Sequence, residues 1–324
     1  MRYRQAALIF NPASGRRRNT RQVKVRRAAE SLRRWIDRVD LGETAEKGDA
    51  TRLAAEAVRT GCDLVVVCGG DGTINEVVRG LAGARTALMI LPAGTANVLA
   101  EEVGLPASPE KAAALLPKLV ECPVQLGIVR YQNPKPGFRH FLLMCGVGVD
   151  ASIVYHLNTR LKEYLGQGAY FLGSLEQLQR EFYPFHIHVN GHTYESTFAL
   201  VSKSSQYGGK LVLTPEAHLL AEKFQVVIFQ GASPLRYVGY LAQIATRTLD
   251  QFTDVTFHEA DRVEFSTSAG RPVYIEVDGE YAGRLPAVVE AAEERLSVLL
   301  PVAYEERVRK GVLAEASVAR AVQP

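Results

Sequence analysis

Over the first 120 residues, short apolar runs alternate with amphipathic stretches. Ala6–Phe10, Leu64–Cys68 and Ala87–Leu91 are unbroken apolar runs of strand length, the pattern of strands buried on both faces. Ile36–Leu41 reads as a further strand. Between them the spacing predicts helices from about Thr20 to Trp35 and from about Asp49 to Thr60, the second with Ala54, Ala55 and Val58 on one face and Asp49 as its N-cap. Two more helices follow the glycine-rich turns at Gly69–Gly72 and Pro92–Asn97. This alternation predicts a parallel, doubly wound α/β domain over residues 1–122.

Beyond Pro123 the rhythm changes. Val124–Tyr131 and Phe141–Val149 read as strands, and a helical interval covers about Ala151 to Arg180. Phe185–Val189 and His192–Ser202 are joined by Asn190-Gly191, the preferred two-residue hairpin turn. Further strands are expected near Phe224–Phe229, Val255–Phe257, Val263–Ser266, Val273–Val277, Val288–Ala291 and Leu296–Leu299, interrupted by a helix at Pro234–Leu249. Runs of short strands predict a mostly antiparallel β domain, a sandwich or open barrel, over residues 123–302. A last helical stretch begins near Tyr304.

A chain of 324 residues can bury two cores of this size. The net charge of +3 neither requires nor excludes a polyanionic partner. The basic residues crowd the first 35 positions (Arg16, Arg17, Arg18, Arg21, Lys24, Arg26, Arg27, Arg33 and Arg34), with Glu30 opposing them. That reads as a solvated helix face or as attraction to nucleotide phosphates or an anionic membrane surface. Without aromatic interleaving or a recognised module it does not point to nucleic acid. Cys62, Cys68, Cys122 and Cys145 lack CxxC spacing and lie in or beside apolar runs, as reduced cytoplasmic thiols do. No apolar run approaches membrane-spanning length, so contact with lipid is expected to be peripheral.

The candidate chemistry sits in the turns. Gly69-Gly70-Asp71-Gly72-Thr73 follows a buried strand and opens a helix, so its glycines admit a ligand close to the backbone and its free N–H groups favour a phosphate. Asp71 would repel that phosphate and is best explained by a divalent cation or by proton transfer beside a nucleotide. Asn11-Pro12-Ala13-Ser14-Gly15 turns the chain after the first strand, without the spacing of a Walker A loop. In a doubly wound sheet, the loops bearing Asn11, Asp71 and Thr95 converge at the strands' carboxyl edge. Late in the chain, Glu276, Asp278 and Glu280 alternate with Val277 and Gly279. An extended chain would put the three acids on one face, whereas a turn at Asp278-Gly279 would separate them. The seven histidines show no paired ligand spacing.

Gly69-Gly70-Asp71-Gly72-Thr73-Ile74-Asn75-Glu76 resembles the GGDGTxNEV signature of the diacylglycerol kinase catalytic-domain family, which includes bacterial lipid kinases and sphingosine kinases. Asn11–Gly15 resembles its NPxSG motif, Pro92–Val98 its LPxGTxND segment and Asp278-Gly279-Glu280 its DGE motif. Gly146–Ala151 and Tyr207–Ala217 also follow in family order. The resemblance implies an ATP- and Mg²⁺-dependent lipid kinase. Asn11, Pro12, Ser14, Gly15, Thr44, Lys47, Gly69, Gly70, Asp71, Gly72, Thr73, Asn75, Glu76, Gly94 and Thr95 would surround the nucleotide, although Thr44 and Lys47 also read as ordinary loop residues. Glu280 would be the general base toward a lipid hydroxyl, Asp278 would orient it or hold a metal-bound water, and Asp71 would face the metal. The helix beyond residue 303 would return to the first domain. Val98 stands where many members carry Asp. The family's structural metal segment expects Asp-Gly near Ala221; here Glu222 would be the substitute ligand, beside Lys223, which would compete with a cation. Two other readings remain: an NAD kinase, which shares GGDGT but not the Asn11–Gly15 loop or Asn75-Glu76, and a non-catalytic nucleotide- or lipid-binding relative. Exposed β edges make a homodimer reasonable.

Overall fold

The computed structural model describes residues 3–14, 21–149, 151, 183–207, 211–246, 248–267 and 270–321. Gly15, Arg16–Arg18, Asp150, Gly208, Gly209 and the helical interval expected from residue 152 to 180 lie outside the described residues.

The first half carries β1 (Tyr3–Phe10), α1 (Arg21–Leu32), β2 (Ile36–Glu43), α2 (Asp49–Arg59), β3 (Leu64–Gly69), α3 (Asp71–Leu81), β4 (Ala87–Pro92), α4 (Val98–Val103) and α5 (Pro109–Ala113). The strands run parallel in the order β2-β1-β3-β4. Every residue of β3 and β4 is buried because both faces are covered. Val25, Ala28, Ala29 and Leu32 of α1 and Ala112 and Ala113 of α5 fill one side. Ala50, Ala54 and Ala57 of α2 and Val77, Val78 and Leu81 of α3 fill the other. The strand order reverses between β1 and β3, and this switch point is where a ligand crevice opens in such sheets. Asp49 does not cap α2. Gly48 occupies that position with φ of 95°, and the Asp49 carboxylate instead accepts N–H bonds from Ala45 and Glu46 across the preceding turn.

The remaining strands are β5 (Leu119–Asn133), β6 (Gly137–Phe141), β7 (Met144–Gly148), β8 (Phe185–Val189), β9 (His192–Ser196), β10 (Phe198–Ser202), β11 (Gln206–Tyr207), β12 (Leu211–Val212), β13 (Phe224–Phe229), β14 (Val255–Ala260), β15 (Arg262–Ser266), β16 (Tyr274–Val277) and β17 (Glu280–Pro301). Two helices complete the described fold, α6 (Pro234–Thr246) and α7 (Val302–Ala321). These strands pair antiparallel around an interior of Phe141, Phe185, Phe224, Phe265 and aliphatic neighbours. Asn190 and Gly191 both have positive φ and close the β8–β9 hairpin as expected.

The strands predicted separately at Val288–Ala291 and Leu296–Leu299 are one strand, β17. Its pairing with β5 shifts register between Ala291 and Arg295, where Glu293 and Glu294 break the apolar alternation. This long ribbon joins the two halves: Val298 pairs in parallel with Leu88 of β4, while the start of β17 pairs with β16.

A buried acid, Glu102 of α4, adds a second tie. Its Oε2 accepts from the Ser204 hydroxyl, from the Ser205 N–H and hydroxyl, and from the Gln206 N–H; its Oε1 accepts from the Tyr304 hydroxyl of α7. Beside this cluster lies Lys203, which is 1 % exposed and donates from Nζ to the Gln125 carbonyl at 2.7 Å. Burial, and then Arg295, push its ammonium down to about 8. A lysine whose folded pKa is depressed binds its proton less well folded than unfolded. It therefore costs stability below pH 8, and that cost is relieved as pH rises toward its ordinary value of 10.5. Lys203→Met is expected to stabilise the protein at pH 7 by about 2 kcal/mol: roughly 3 kcal/mol from removing the buried charge, less about 1 kcal/mol for the lost hydrogen bond. Urea unfolding of both proteins at pH 7 and pH 9.5 checks this, since the advantage must shrink at the higher pH.

Candidate active site

Three loops meet at the carboxyl edge of the parallel sheet, tied by their backbones. The Asn11 N–H donates to the Cys68 carbonyl at 3.3 Å, and the Ala93 N–H to the Gly69 carbonyl at 2.9 Å. Gly70 and Gly94 lie back to back. A Cβ on Gly94 would stand 2.5 Å from the Gly70 Cα, so the loops can touch only as glycines. Asn97, in the left-handed region at φ 51°, accepts the Gly94 N–H on its side-chain oxygen at 2.7 Å and closes the third loop.

Asp71 joins two of these loops. Its Oδ2 accepts the Asn97 N–H at 3.0 Å and its Oδ1 the Val98 N–H at 2.8 Å, so the carboxylate caps α4 from across the site. Burial nevertheless raises its pKa, against those N–H donors. The side chain of Val98, at the position where the resemblance expects an acid, is buried.

The other predicted nucleotide residues divide into two groups. Asn11, Pro12, Ser14, Gly70, Gly72, Thr73, Gly94 and Thr95 line the rim, with Asn11 fixed by an Asx turn in which its side-chain oxygen accepts the Ala13 N–H. Thr44 is buried and its N–H donates to the Phe10 carbonyl, while Lys47 is exposed at the end of its loop. Asn75 and Glu76 point inward. The Glu76 carboxylate accepts N–H bonds from Gly48 and Ala50 and so holds the start of α2. Asn75 is 1 % exposed, and both polar atoms of its amide lack a hydrogen-bond partner among the described residues. It lines a recess with Asp71 and Asp278, walled by Ile74, Val78, Leu142 and Leu143.

Asp278 and Gly279 both have positive φ and form the two-residue turn between β16 and β17. The extended arrangement that would put three acids on one face is therefore absent. Glu276 folds back to accept the Gly279 N–H at 2.7 Å. The Asp278 carboxylate accepts the N–H groups of Leu142, Leu143 and Met144 at 2.9–3.0 Å. Burial, reinforced by the nearby Asp71 charge, pushes it up to about 6 against those three donors. Glu280 crosses to the first half, where its Oε1 would lie 3.1 Å from a Cβ on Gly72.

Two residues that the sequence did not single out flank Glu280. Arg79 of α3 and Arg139 of β6 approach its Oε2 to 3.9 and 3.5 Å. Arg79 lies seven residues after Gly72 and so on the same face of α3, a relation a helical projection could have shown. Arg139 reaches the site only through the pairing of β6 with β5, and no local pattern marks it.

Glu222, the substitute metal ligand, lies on the surface with its side chain 82 % exposed and 3.6 Å from Arg295. Among the described residues no group of three or more His, Cys, Asp or Glu side chains could hold a metal ion. No helix of the described residues is long and apolar enough to cross a membrane.

Residues 5–129 match the diacylglycerol kinase catalytic domain, and residues 144–300 match the YegS C-terminal NAD kinase beta sandwich-like domain. A diacylglycerol kinase of Bacillus subtilis (strain 168) is 30 % identical over 312 residues, covering 92 % of this chain and 97 % of that protein. One of Staphylococcus carnosus (strain TM300) is 27 % identical over 309 residues, covering 92 % and 95 %. The crystal structure of a diacylglycerol kinase from Bacillus anthracis str. Sterne shares the fold, with a TM-score of 0.71 at 21 % identity over 94 % of this chain and 99 % of that one. With both domain matches in sequence order and a relative of this identity along nearly its whole length, the chain belongs to the diacylglycerol kinase catalytic-domain family.

Proposed function

We propose that the protein transfers the γ-phosphate of ATP to the hydroxyl of a diacylglycerol-like lipid. The observation that carries this reading is the placement of Glu280 from the β-rich half directly over Gly72 of the phosphate-type turn. A carboxylate there faces both an acceptor hydroxyl between the halves and a phosphate on the glycine loops.

The close packing of Gly70 on Gly94 holds two of the loops together, and the N–H groups at the start of α3 suit phosphate oxygens. Glu280 accepts the hydroxyl proton as the acceptor oxygen attacks. Asp278 holds the turn that aims Glu280, and the apolar side chains of Ile74, Val78, Leu142 and Leu143 offer a dry wall to the acceptor. Mg²⁺ is commonly held by one or two carboxylates together with substrate phosphates, and Asp71, with lone pairs beyond its two backbone bonds, suits that arrangement. When bound, the ion would neutralise phosphate charge. Phe138, 59 % exposed one residue from Arg139, and the exposed Arg26, Arg27, Arg33 and Arg34 suit peripheral contact with an anionic lipid surface.

The test is transfer from γ-labelled ATP and Mg²⁺ to diacylglycerol in mixed micelles, with NAD as a parallel acceptor. Label on the lipid is the expected outcome. Label on NAD alone, or on neither acceptor, overturns the reading.

A further inference from the structure

We propose that Arg79 and Arg139 are catalytic residues that grip the phosphoryl group as it passes between nucleotide and acceptor. The inference rests on the lipid kinase reading above and concerns groups which that reading does not use. Two guanidiniums from different elements, α3 and β6, converge on one oxygen of Glu280 without hydrogen-bonding to it. Arg79 Nε, Arg139 Nη1 and Glu280 Oε2 are all buried, and none has a hydrogen-bond partner among the described residues. Each of the three side chains is only about one-fifth exposed. An ion-pair triad serving stability alone would be expected to close into short, directional contacts, because buried charges left unpaired are costly. Here the donors stand open beside the base.

What they would meet follows from the reaction. The acceptor hydroxyl must lie about 2.7 Å from the base oxygen and, before attack, about 3–3.5 Å from the γ-phosphorus. A guanidinium within 4 Å of Glu280 Oε2 is therefore within reach of the equatorial phosphoryl oxygens. In the transfer, the acceptor hydroxyl gives its proton to Glu280 and its lone pair forms the new O–P bond. The P–O bond to the nucleoside diphosphate breaks, and its electron pair leaves on the diphosphate oxygen. Negative charge gathers on the three equatorial oxygens, and fixed cations there stabilise the transition state more than either bound substrate.

The test compares Arg79→Gln, Arg139→Gln and the two Lys variants with the wild type, measuring kcat, both KM values, the pH profile of kcat/KM and the melting temperature. Each Gln variant is expected to lose about 10²-fold in kcat, with KM for ATP and lipid within threefold and the acid limb of the profile unmoved. The Lys variants should recover part of the loss, and they decide the matter where a Gln variant melts early. Unchanged kcat overturns the inference, as does a loss confined to the acceptor KM. So does an acid limb shifted upward with kcat restored at high pH, because the arginines would then only keep Glu280 ionised. If the wild type transfers phosphate to no lipid, the kinase reading fails and this inference falls with it. Active wild type with fully active Gln variants removes the inference alone.

Discussion

Glu280→Gln is expected to slow phosphate transfer to lipid by on the order of 10²–10⁴-fold while leaving the KM for ATP near wild type. The substitution keeps the shape of the side chain and removes its capacity to take a proton. Glu280 Oε2 has no hydrogen bond among the described residues, so none is lost, but its charge no longer offsets Arg79 and Arg139, 3.9 and 3.5 Å away. The amide also brings an NH₂ group, which rotation of the side chain turns away from Arg79 and Arg139. The nucleotide loops do not depend on Glu280, since their glycines and the Asp71–Val98 and Asp71–Asn97 bonds close without it. The effect therefore belongs to the chemical step, and steady-state kinetics with saturating ATP measures it. Retention of more than a tenth of the wild-type kcat would show that another group takes the proton.

The parts of this site that were legible in the sequence are those with a local physical cause. Gly70 and Gly94 mark turns because glycine permits the backbone approach seen there, and β3 and β4 read as strands because both faces are apolar. Other features depend on partners distant in sequence. Asp71 looked like a metal or proton group, yet its first neighbours are the N–H groups of Asn97 and Val98, which the β4 crossover brings to it. Glu222, expected as a metal ligand, instead faces Arg295, from the far end of the chain, on the surface. Glu276, Asp278 and Glu280 alternated in sequence, but positive φ at Asp278 and Gly279 sent them three ways. Glu102 and Lys203 gave no signal at all, since Glu102 is held by Ser204 and Tyr304 and Lys203 by Gln125, all distant in sequence.

That turn is where the fold and the proposed chemistry depend on each other, and Asp278→Ala should damage both. Alanine leaves the N–H groups of Leu142, Leu143 and Met144 without their acceptor and places a Cβ-only side chain at φ 48°, a region that Asp and Asn tolerate better. Relief of the buried charge offsets part of this, so a net loss of about 3–5 kcal/mol at pH 7 is expected, a fall in melting temperature on the order of 10 °C. Glu280, two residues on, loses its fixed direction, and transfer should fall even where the protein stays folded. Asp278→Asn separates charge from shape, because it keeps one acceptor oxygen and suits the positive φ but cannot titrate. The folded pKa of Asp278 is raised to about 6 from 3.8, so the folded state holds this proton more tightly than the unfolded chain. The group's stabilising contribution is therefore fullest below pH 3.8 and is lost as pH rises through 6. Lowering the pH from 7 to about 4 should accordingly shift the stability difference between wild type and Asp278→Asn toward wild type by roughly 2.4 kcal/mol. Denaturant titrations of the two proteins at both pH values cancel the other titrating groups. A difference that stays flat would mean that the three N–H donors, and not burial, govern this carboxylate.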